Sequence, residues 1–308
     1  MTKLAFVFPG QGSQAVGMLG DLAEKFPLVT DSFQEASDAL GFDLWKLVQA
    51  GPTAELNQTN MTQPAMLTAS VAIWRIYKAL GGPRPDFMAG HSLGEYSALT
   101  AAGVFSLADA ASLVHARGNF MQEAVPDGAG SMAAIIGLND DKVIDLCVEV
   151  AQGEVLSAVN FNSPGQVVIA GHASAVDRAI KACKDKGARM GRVLPVSVPC
   201  HCSLMENAAG KLAEKLDSIS VSAPQFPVIN NIDVAIEDDP SAIKTALIRQ
   251  LSGAVRWTES MQKLADVDVT QVVECGPGKV LTGLAKRIDS RLSATAINTS
   301  DSIEKLFQ

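Results

Sequence analysis

The sequence predicts an α/β protein: a mostly parallel sheet flanked by helices and interrupted by a β-α-β-β-α-β unit of the ferredoxin-like kind. Three observations predict it. Residues 4–8 form a short, wholly apolar run, as suits a strand buried on both faces. Strand and helix patterns alternate up to Ala124 and resume beyond Pro199, the signature of a parallel sheet. Between 131 and 194 the order changes to strand, helix, strand, strand, helix, strand.

Helical periodicity dominates residues 19–50. A helix over 65–80 is stopped by Gly81-Gly82-Pro83. The apolar Phe87-Met88-Ala89 reads as a strand, with a helix over 95–102 soon after it. Another helix spans 107–124 and ends before Pro126 and Gly128. The inserted unit has strands at 131–136, 155–160, 166–170 and 189–194, helices at 140–151 and 173–184, and a turn at Asn162-Ser163-Pro164-Gly165. Helix 204–216, strand 228–232, helix 241–251 and strand 269–274 follow. The expected division is a discontinuous large domain, 1–128 and 197–308, with a subdomain at 129–196 inserted in it.

Composition excludes several functions. With 308 residues, 47% hydrophobic and 19% charged, the chain has the make-up of a globular enzyme. A net charge of -8 and few aromatic residues argue against nucleic-acid binding. No uncharged run is apolar enough to span a membrane, and the first apolar run is too short for a signal peptide. The expected compartment is therefore the cytoplasm, where five cysteines stay reduced and the N-x-S/T matches at Asn57, Asn60 and Asn298 mean nothing.

Gly90-His91-Ser92-Leu93-Gly94 is a G-x-S-x-G sequence between an apolar strand and a helix. In that setting the serine sits on a sharp turn, its hydroxyl lifted clear of the sheet, with backbone N–H groups facing a developing oxyanion. A solvated serine in a glycine-rich turn is the bland alternative. A nucleophilic serine needs a base. Of four histidines, His91 lies inside the turn, His115 within a helix, and His172 in a surface turn after a strand. His201 stands where the chain re-enters the large domain, and is the expected base. No acid between Ser92 and His201 suits a Ser-Asp-His order, so a dyad with a neutral orienting group is expected. Glu95 is expected to point along its own helix.

Cys200 and Cys202 flank His201 without the second ligand pair that a metal needs. In an extended segment both thiols would face away from the imidazole as buried packing groups. Gly10-Gln11-Gly12-Ser13-Gln14-Ala15 satisfies a dinucleotide fingerprint, but the residues at the spacing of its acid, Asp31 and Glu35, lie in helical sequence. It reads better as a loop facing the serine turn. Gly276-Pro277-Gly278-Lys279 reads as a strand-to-helix turn, without P-loop spacing. Arg117 is a lone charge on an apolar helix face: either a surface charge or, if inward, a partner for an anion.

Together these segments resemble the malonyl-CoA:acyl carrier protein transacylases, nearly from end to end. The likeness rests on Phe8-Pro9-Gly10-Gln11-Gly12-Ser13-Gln14, Thr62-Gln63-Pro64-Ala65, Gly90-His91-Ser92-Leu93-Gly94-Glu95-Tyr96, Arg117-Gly118, Asn160-Phe161-Asn162-Ser163-Pro164-Gly165-Gln166, His201 and Glu274-Cys275-Gly276-Pro277-Gly278. Cys200 departs from the serine or aromatic residue commoner before the histidine, and Cys275 from a common valine or isoleucine. The resemblance implies an α/β-hydrolase-like large domain with the site in a cleft beside the ferredoxin-like insert. It implies Ser92 as nucleophile, His201 as base, and the Gln250 main-chain carbonyl as orienter of the imidazole. It implies an oxyanion hole from the Gln11 and Leu93 N–H groups, and Arg117 on the malonyl carboxylate. Malonyl-CoA and acyl carrier protein are the implied partners, with no metal and no bound cofactor. An acidic carrier protein would need a basic patch on this acidic chain. Two candidates are Lys181, Lys184, Lys186, Arg189 and Arg192, and Lys279, Lys286 and Arg287. The rival readings are a serine hydrolase of thioesterase type, a non-catalytic carrier-protein scaffold, and a dinucleotide-dependent oxidoreductase.

Overall fold

A computed structural model describes residues 3–196 and 198–307. The expected boundary at 197, and residues 1, 2 and 308, lie outside the described residues. Strand β1 (Lys3–Phe8) leads into helices α1 (Gly20–Lys25), α2 (Leu28–Leu40), α3 (Leu44–Ala50), α4 (Thr53–Leu56) and α5 (Thr59–Ala79). Then come β2 (Phe87–Gly90), α6 (Leu93–Ala101) and α7 (Leu107–Ala124). The middle of the chain forms β3 (Gly130–Ile136), α8 (Asp140–Val150), β4 (Leu156–Ser163), β5 (Gln166–His172), α9 (Ala173–Ala182) and β6 (Met190–Val193). It continues through α10 (Glu206–Asp217), β7 (Val228–Ile229), α11 (Pro240–Ser252), α12 (Trp257–Asp266), β8 (Val269–Cys275), α13 (Val280–Ile288), β9 (Ser293–Ile297) and α14 (Ser300–Leu306).

The strands form two sheets, and the mixed α/β class is as expected. A parallel sheet runs in the order β7-β2-β1-β8-β9. Alternation along β1 splits its burial. Phe6 and Phe8 face a core built with α2, α5 and α7, while Ala5 and Val7 face α12 and α13. Phe6 packs edge-on against Trp74, with ring centroids 5.2 Å apart, anchoring α5 to the sheet. The second sheet is antiparallel, in the order β4-β5-β3-β6, which is the ferredoxin-like order. Ala133, Ile135, Val167 and Ile169 on one face meet α8 and α9. Met132, Val168 and Ala170 on the other face meet Cys202 and the segment leaving β6. Main-chain bonds tie β4 to the link between α11 and α12: Phe161 N–H donates to Val255 O at 3.0 Å, and Val255 N–H to Val159 O at 2.8 Å.

Several boundaries differ from expectation. The helix expected from 65 begins at Thr59 and runs through Pro64. Proline cannot donate to the Asn60 carbonyl one turn back. His115 of α7 donates its Nδ1–H there instead, at 2.9 Å, so this histidine satisfies a helix as well as packing. His172 is not in a free turn: it ends β5, and its Nδ1 accepts the Val155 N–H at 3.0 Å. The strand expected over 228–232 shortens to two residues. Helices α12 and α14 and the edge strand β9 had no counterpart in the sequence reading, and α13 was implied only by the strand-to-helix turn before it.

Candidate active site

The parallel strands β1 and β2 deliver their C-terminal ends to one cavity of about 220 Å³. Its walls include Gly10, Gln11, His91, Ser92 and His201, with Asn160, Asn162 and Gln166 opposite. Ser92 sits between β2 and α6 with φ 53 and ψ -109, a conformation costing an L-residue ~1–3 kcal/mol. The glycines around it are demanded by close packing. A Cβ on Gly90 would lie 1.9 Å from the Gly94 backbone, and one on Gly94 would lie 2.0 Å from the Phe8 carbonyl. The turn therefore presses directly on the end of β1.

The structure brings Ser92, His201 and Gln250 together. Ser92 Oγ lies 2.7 Å from His201 Nε2. His201 Nδ1 lies 2.8 Å from the Gln250 main-chain oxygen. A carbonyl can only accept, so Nδ1 holds the imidazole hydrogen and Nε2 presents a lone pair to the serine hydroxyl. Burial, and then the nearby Arg117 charge, pull the His201 pKa down from 6.5 to about 3. The imidazole is thus a free base at neutral pH, as proton abstraction requires. Leu93 opens α6, so its N–H belongs to the first turn, where no intrahelical acceptor exists. Gln11 lines the cavity, its side chain 3.4 Å from Thr59 Oγ1.

Arg117 is only 2% exposed, so it points inward and is no surface charge. The close approach of α7 and α5 at Gly118 places it: a Cβ on Gly118 would lie 2.4 Å from Asn60 Cα. Its guanidinium donates to Gln63 Oε1 at 2.7 Å and to Gln250 Oε1 at 3.2 Å, and lies 5.2 Å from the Tyr96 ring centroid. Its Nε has no hydrogen-bond partner. Arg117 meets the Ser92–His201 pair through Gln250, whose Oε1 it holds and whose main-chain oxygen takes the His201 Nδ1–H.

Two expectations are corrected. Cys200 does not face away from the imidazole. His201 has φ 66 within a turn, so the extended alternation fails and Cys200 lines the cavity beside it. Cys202 is buried in the small-sheet core as expected. Burial pushes both thiols up to about 11, leaving them protonated and poorly nucleophilic. Glu95 does not simply follow its helix. It is buried, and its Oε2 accepts the Asn231 N–H at 2.8 Å and Gln250 Nε2 at 2.9 Å. Asn231 escaped the sequence reading altogether: its Oδ1 accepts the Ser92 N–H at 2.7 Å. His91 turns from the nucleophile toward β4, its Nε2 2.7 Å from Asn162 Oδ1. The Gly276-Pro277-Gly278-Lys279 segment is a strand-to-helix turn, where Glu274 accepts the Leu281 and Thr282 N–H groups that open α13. Among the described residues no cluster of three His, Cys, Asp or Glu side chains is arranged to hold a metal ion, and no helix is long and apolar enough to cross a membrane.

The chain belongs to the acyl transferase domain family, whose sequence profile matches residues 5–299. The malonyl CoA-acyl carrier protein transacylase of Salmonella typhimurium is 59% identical over 298 residues, covering 97% of this chain and 96% of that protein. The transacylase of the same name from Bacillus subtilis is 44% identical over 309 residues, covering 100% and 97%. Among solved structures, an acyl carrier protein S-malonyltransferase from Vibrio cholerae superposes with a TM-score of 0.97 at 57% identity, covering 99% of this chain and 100% of that one. A malonyl-transacylase solved with its type II polyketide acyl-carrier protein gives a TM-score of 0.98 at 57% identity, covering 99% of each chain.

Proposed function

We propose that this chain moves the malonyl group from malonyl-CoA to the phosphopantetheine thiol of acyl carrier protein, in fatty acid biosynthesis. The observation that carries this reading is the relay from Ser92 Oγ through the His201 ring to the Gln250 carbonyl, at 2.7 and 2.8 Å, opening on one cavity. Ser92 is the nucleophile, His201 the base and Gln250 the orienter. The N–H groups of Gln11 and Leu93 form the oxyanion hole, and Arg117 receives the malonyl carboxylate. We read 1–128 and 197–308 as an α/β-hydrolase-like catalytic domain and 129–196 as a ferredoxin-like subdomain. The site then lies between them.

His201 Nε2 takes the hydroxyl proton as Ser92 Oγ attacks the thioester carbonyl. The oxyanion so formed rests on two N–H donors, each worth ~3–4 kcal/mol by the cost of removing one. The C–S bond breaks, the proton on Nε2 goes to the CoA sulfur, and a malonyl ester remains on Ser92. The carrier protein's thiol then gives its proton to His201 and attacks the ester. The tetrahedral adduct collapses, Ser92 recovers the proton, and the malonyl thioester leaves on the carrier protein. This is ping-pong transfer. CoA and phosphopantetheine enter as parts of the substrates, so the sequence of steps calls on no metal or bound cofactor. We place this enzyme in the cytoplasm, where its five cysteines would stay reduced.

The hydrolase reading is not favoured. A buried cation joined to the catalytic pair through Gln250 matches an acyl group with a free carboxylate, and the relatives are transacylases. Intact mass after mixing with malonyl-CoA, followed by peptide mapping, tests the proposal. A malonyl adduct on Ser92 that disappears on adding holo carrier protein is expected. An adduct on Cys200 or Cys202 that survives Ser92→Ala, or release of free malonate in place of transfer, would overturn it.

A further inference from the structure

Ser92 and His201 both hold left-handed backbone, with φ 53 and φ 66. Such conformations persist only where the surroundings over-determine them. The bonds that do so here converge on one buried side chain that touches neither reacting atom. Glu95 Oε2 accepts from the Asn231 N–H at 2.8 Å and from Gln250 Nε2 at 2.9 Å. Each donor then holds a member of the pair. The Asn231 side chain accepts the Ser92 N–H at 2.7 Å and donates to Gly90 O at 2.7 Å, bracing the serine turn on both sides. The Gln250 side chain donates to Ser92 O at 3.0 Å, while its main-chain oxygen takes the His201 Nδ1–H at 2.8 Å. Its Oε1 faces Arg117 at 3.2 Å, so the amide is aligned with its oxygen toward the cation and its nitrogen toward the carboxylate.

We propose that Glu95 is a positioning residue: its carboxylate fixes Asn231 and Gln250, and through them sets the reach of Ser92 Oγ to His201 Nε2. The inference rests on the assignment of Ser92 and His201 above. The chemistry of the side chain supports it. A carboxylate accepts both N–H groups and brings no donor of its own, so the pattern of bonds around it has one solution. Other charged, titratable and polar groups stand around Glu95. Arg117 comes from α7, Asp233 from the turn after β7, and Gln250 from α11, with Tyr96 beside it on α6. Glu237 lines a small cavity with it. Desolvation is the largest influence and raises the Glu95 pKa from 4.5 to about 7, against the pull of its two donors and of Arg117. Asp233 adds to the rise. Protonation of Glu95 on acidification through neutrality is therefore expected to slow the reaction, while His201, held far lower at about 3, stays a free base.

The test compares the full-length parent with Glu95→Ala and Glu95→Gln, measuring single-turnover malonylation by rapid quench across pH. Glu95→Ala is expected to slow malonylation about ten- to hundredfold while half-saturation by malonyl-CoA moves less than about threefold. Glu95→Gln keeps an acceptor oxygen. As a neutral mimic of the protonated acid it is expected to hold one pH-independent rate, matching the parent in acid buffer and lying several-fold above Glu95→Ala. The proposal is overturned if Glu95→Ala malonylates at the parental rate, if only half-saturation moves, or if Glu95→Gln is no better than Glu95→Ala. It is also overturned if neither variant folds, since Glu95 would then hold the fold as a whole. Ser92→Ala and His201→Ala run alongside. Malonylation persisting in Ser92→Ala sinks the site assignment itself. Loss there with unaffected Glu95 variants sinks only the role of Glu95.

Discussion

The two walls of the cavity are built differently. The parallel-sheet wall holds Ser92 and His201 in unfavourable backbone, ties their neighbours with buried hydrogen bonds, and packs ionisable groups whose pKa values are displaced. The antiparallel-sheet wall offers neutral amides, Asn160, Asn162 and Gln166, and apolar side chains, Met132, Val168, Leu194 and Val196. None of these seven side chains can exchange a proton near neutral pH. Bond making needs atoms held to a fraction of an ångström, and a flexible pantetheine arm needs shape and a few amides. The contrast predicts that damage to the first wall lowers kcat and damage to the second raises KM.

The largest expected effect lies at the proton-transfer pair. His201→Ala should slow malonylation of Ser92 by ~10²–10⁴, with the malonyl-CoA KM little changed. Stopped-flow release of CoA thiol measures it directly. If replacing a single Asp or Glu within bonding reach of His201 cost as much in a folded protein, the carbonyl-oriented dyad would be wrong. A large KM effect from His201→Ala would blur the division between the walls.

Arg117 comes next. Its Nε is unpartnered and its forks rest on Gln63 and on Gln250, the residue whose main-chain oxygen also orients His201. Losing one partner of a buried charge pair costs ~2–5 kcal/mol. Arg117→Ala should therefore cut malonyl transfer steeply, while acetyl transfer falls much less or rises. Both acyl-CoA substrates must be assayed on both proteins. Equal losses would mean that Arg117 supports the fold or CoA.

How much of this was legible in the sequence differs between the walls too. The serine turn was readable because its glycines and flanking patterns are local. His201 was reachable by elimination among four histidines. The path of the chain around His201 was not. A left-handed residue there puts Cys200 on the cavity, where strand alternation sent it away. Glu95 and Asn231 were missed because their meaning arises from contacts across 136 residues, which no local pattern encodes. Arg117 was suspect as a charge on an apolar face, yet its partners Gln63 and Gln250 come from separate helices. The inserted unit was read well because each of its patterns is short and self-contained. The region after α13 was poorly read: β9 is a five-residue edge strand of mostly small side chains, and α14 is seven residues long.

The smallest effect concerns the charged rim, and here the sheet geometry sharpens what the sequence left as two clusters. Lys181 is on α9, with Lys184 and Lys186 just beyond it, and α9 covers the face of the small sheet turned from the cavity. Lys186 also pairs with Glu149. Arg192 differs. It lies on β6 opposite Ala134 of β3, two residues from the cavity-lining Met132, and alternation puts it on the cavity face. Lys279, Lys286 and Arg287 lie on or beside α13, whose Val280, Leu281 and Leu284 line the cavity, and Arg287 reaches Gln166 at 3.2 Å. An acidic carrier protein delivering its arm into the cavity would meet the second group and Arg192, and not α9. Charge reversal at Lys279, Lys286 and Arg287, or at Arg192, should raise the carrier-protein KM several-fold at low salt, and the effect should fade as salt is added. The same reversal at Lys181 and Lys184 should leave it within about twofold. Steady-state transfer at two ionic strengths, with malonyl-CoA saturating, separates the cases. A larger effect from the α9 lysines would put the carrier protein on the far face of the small sheet, and the second wall would then owe nothing to delivery of the arm.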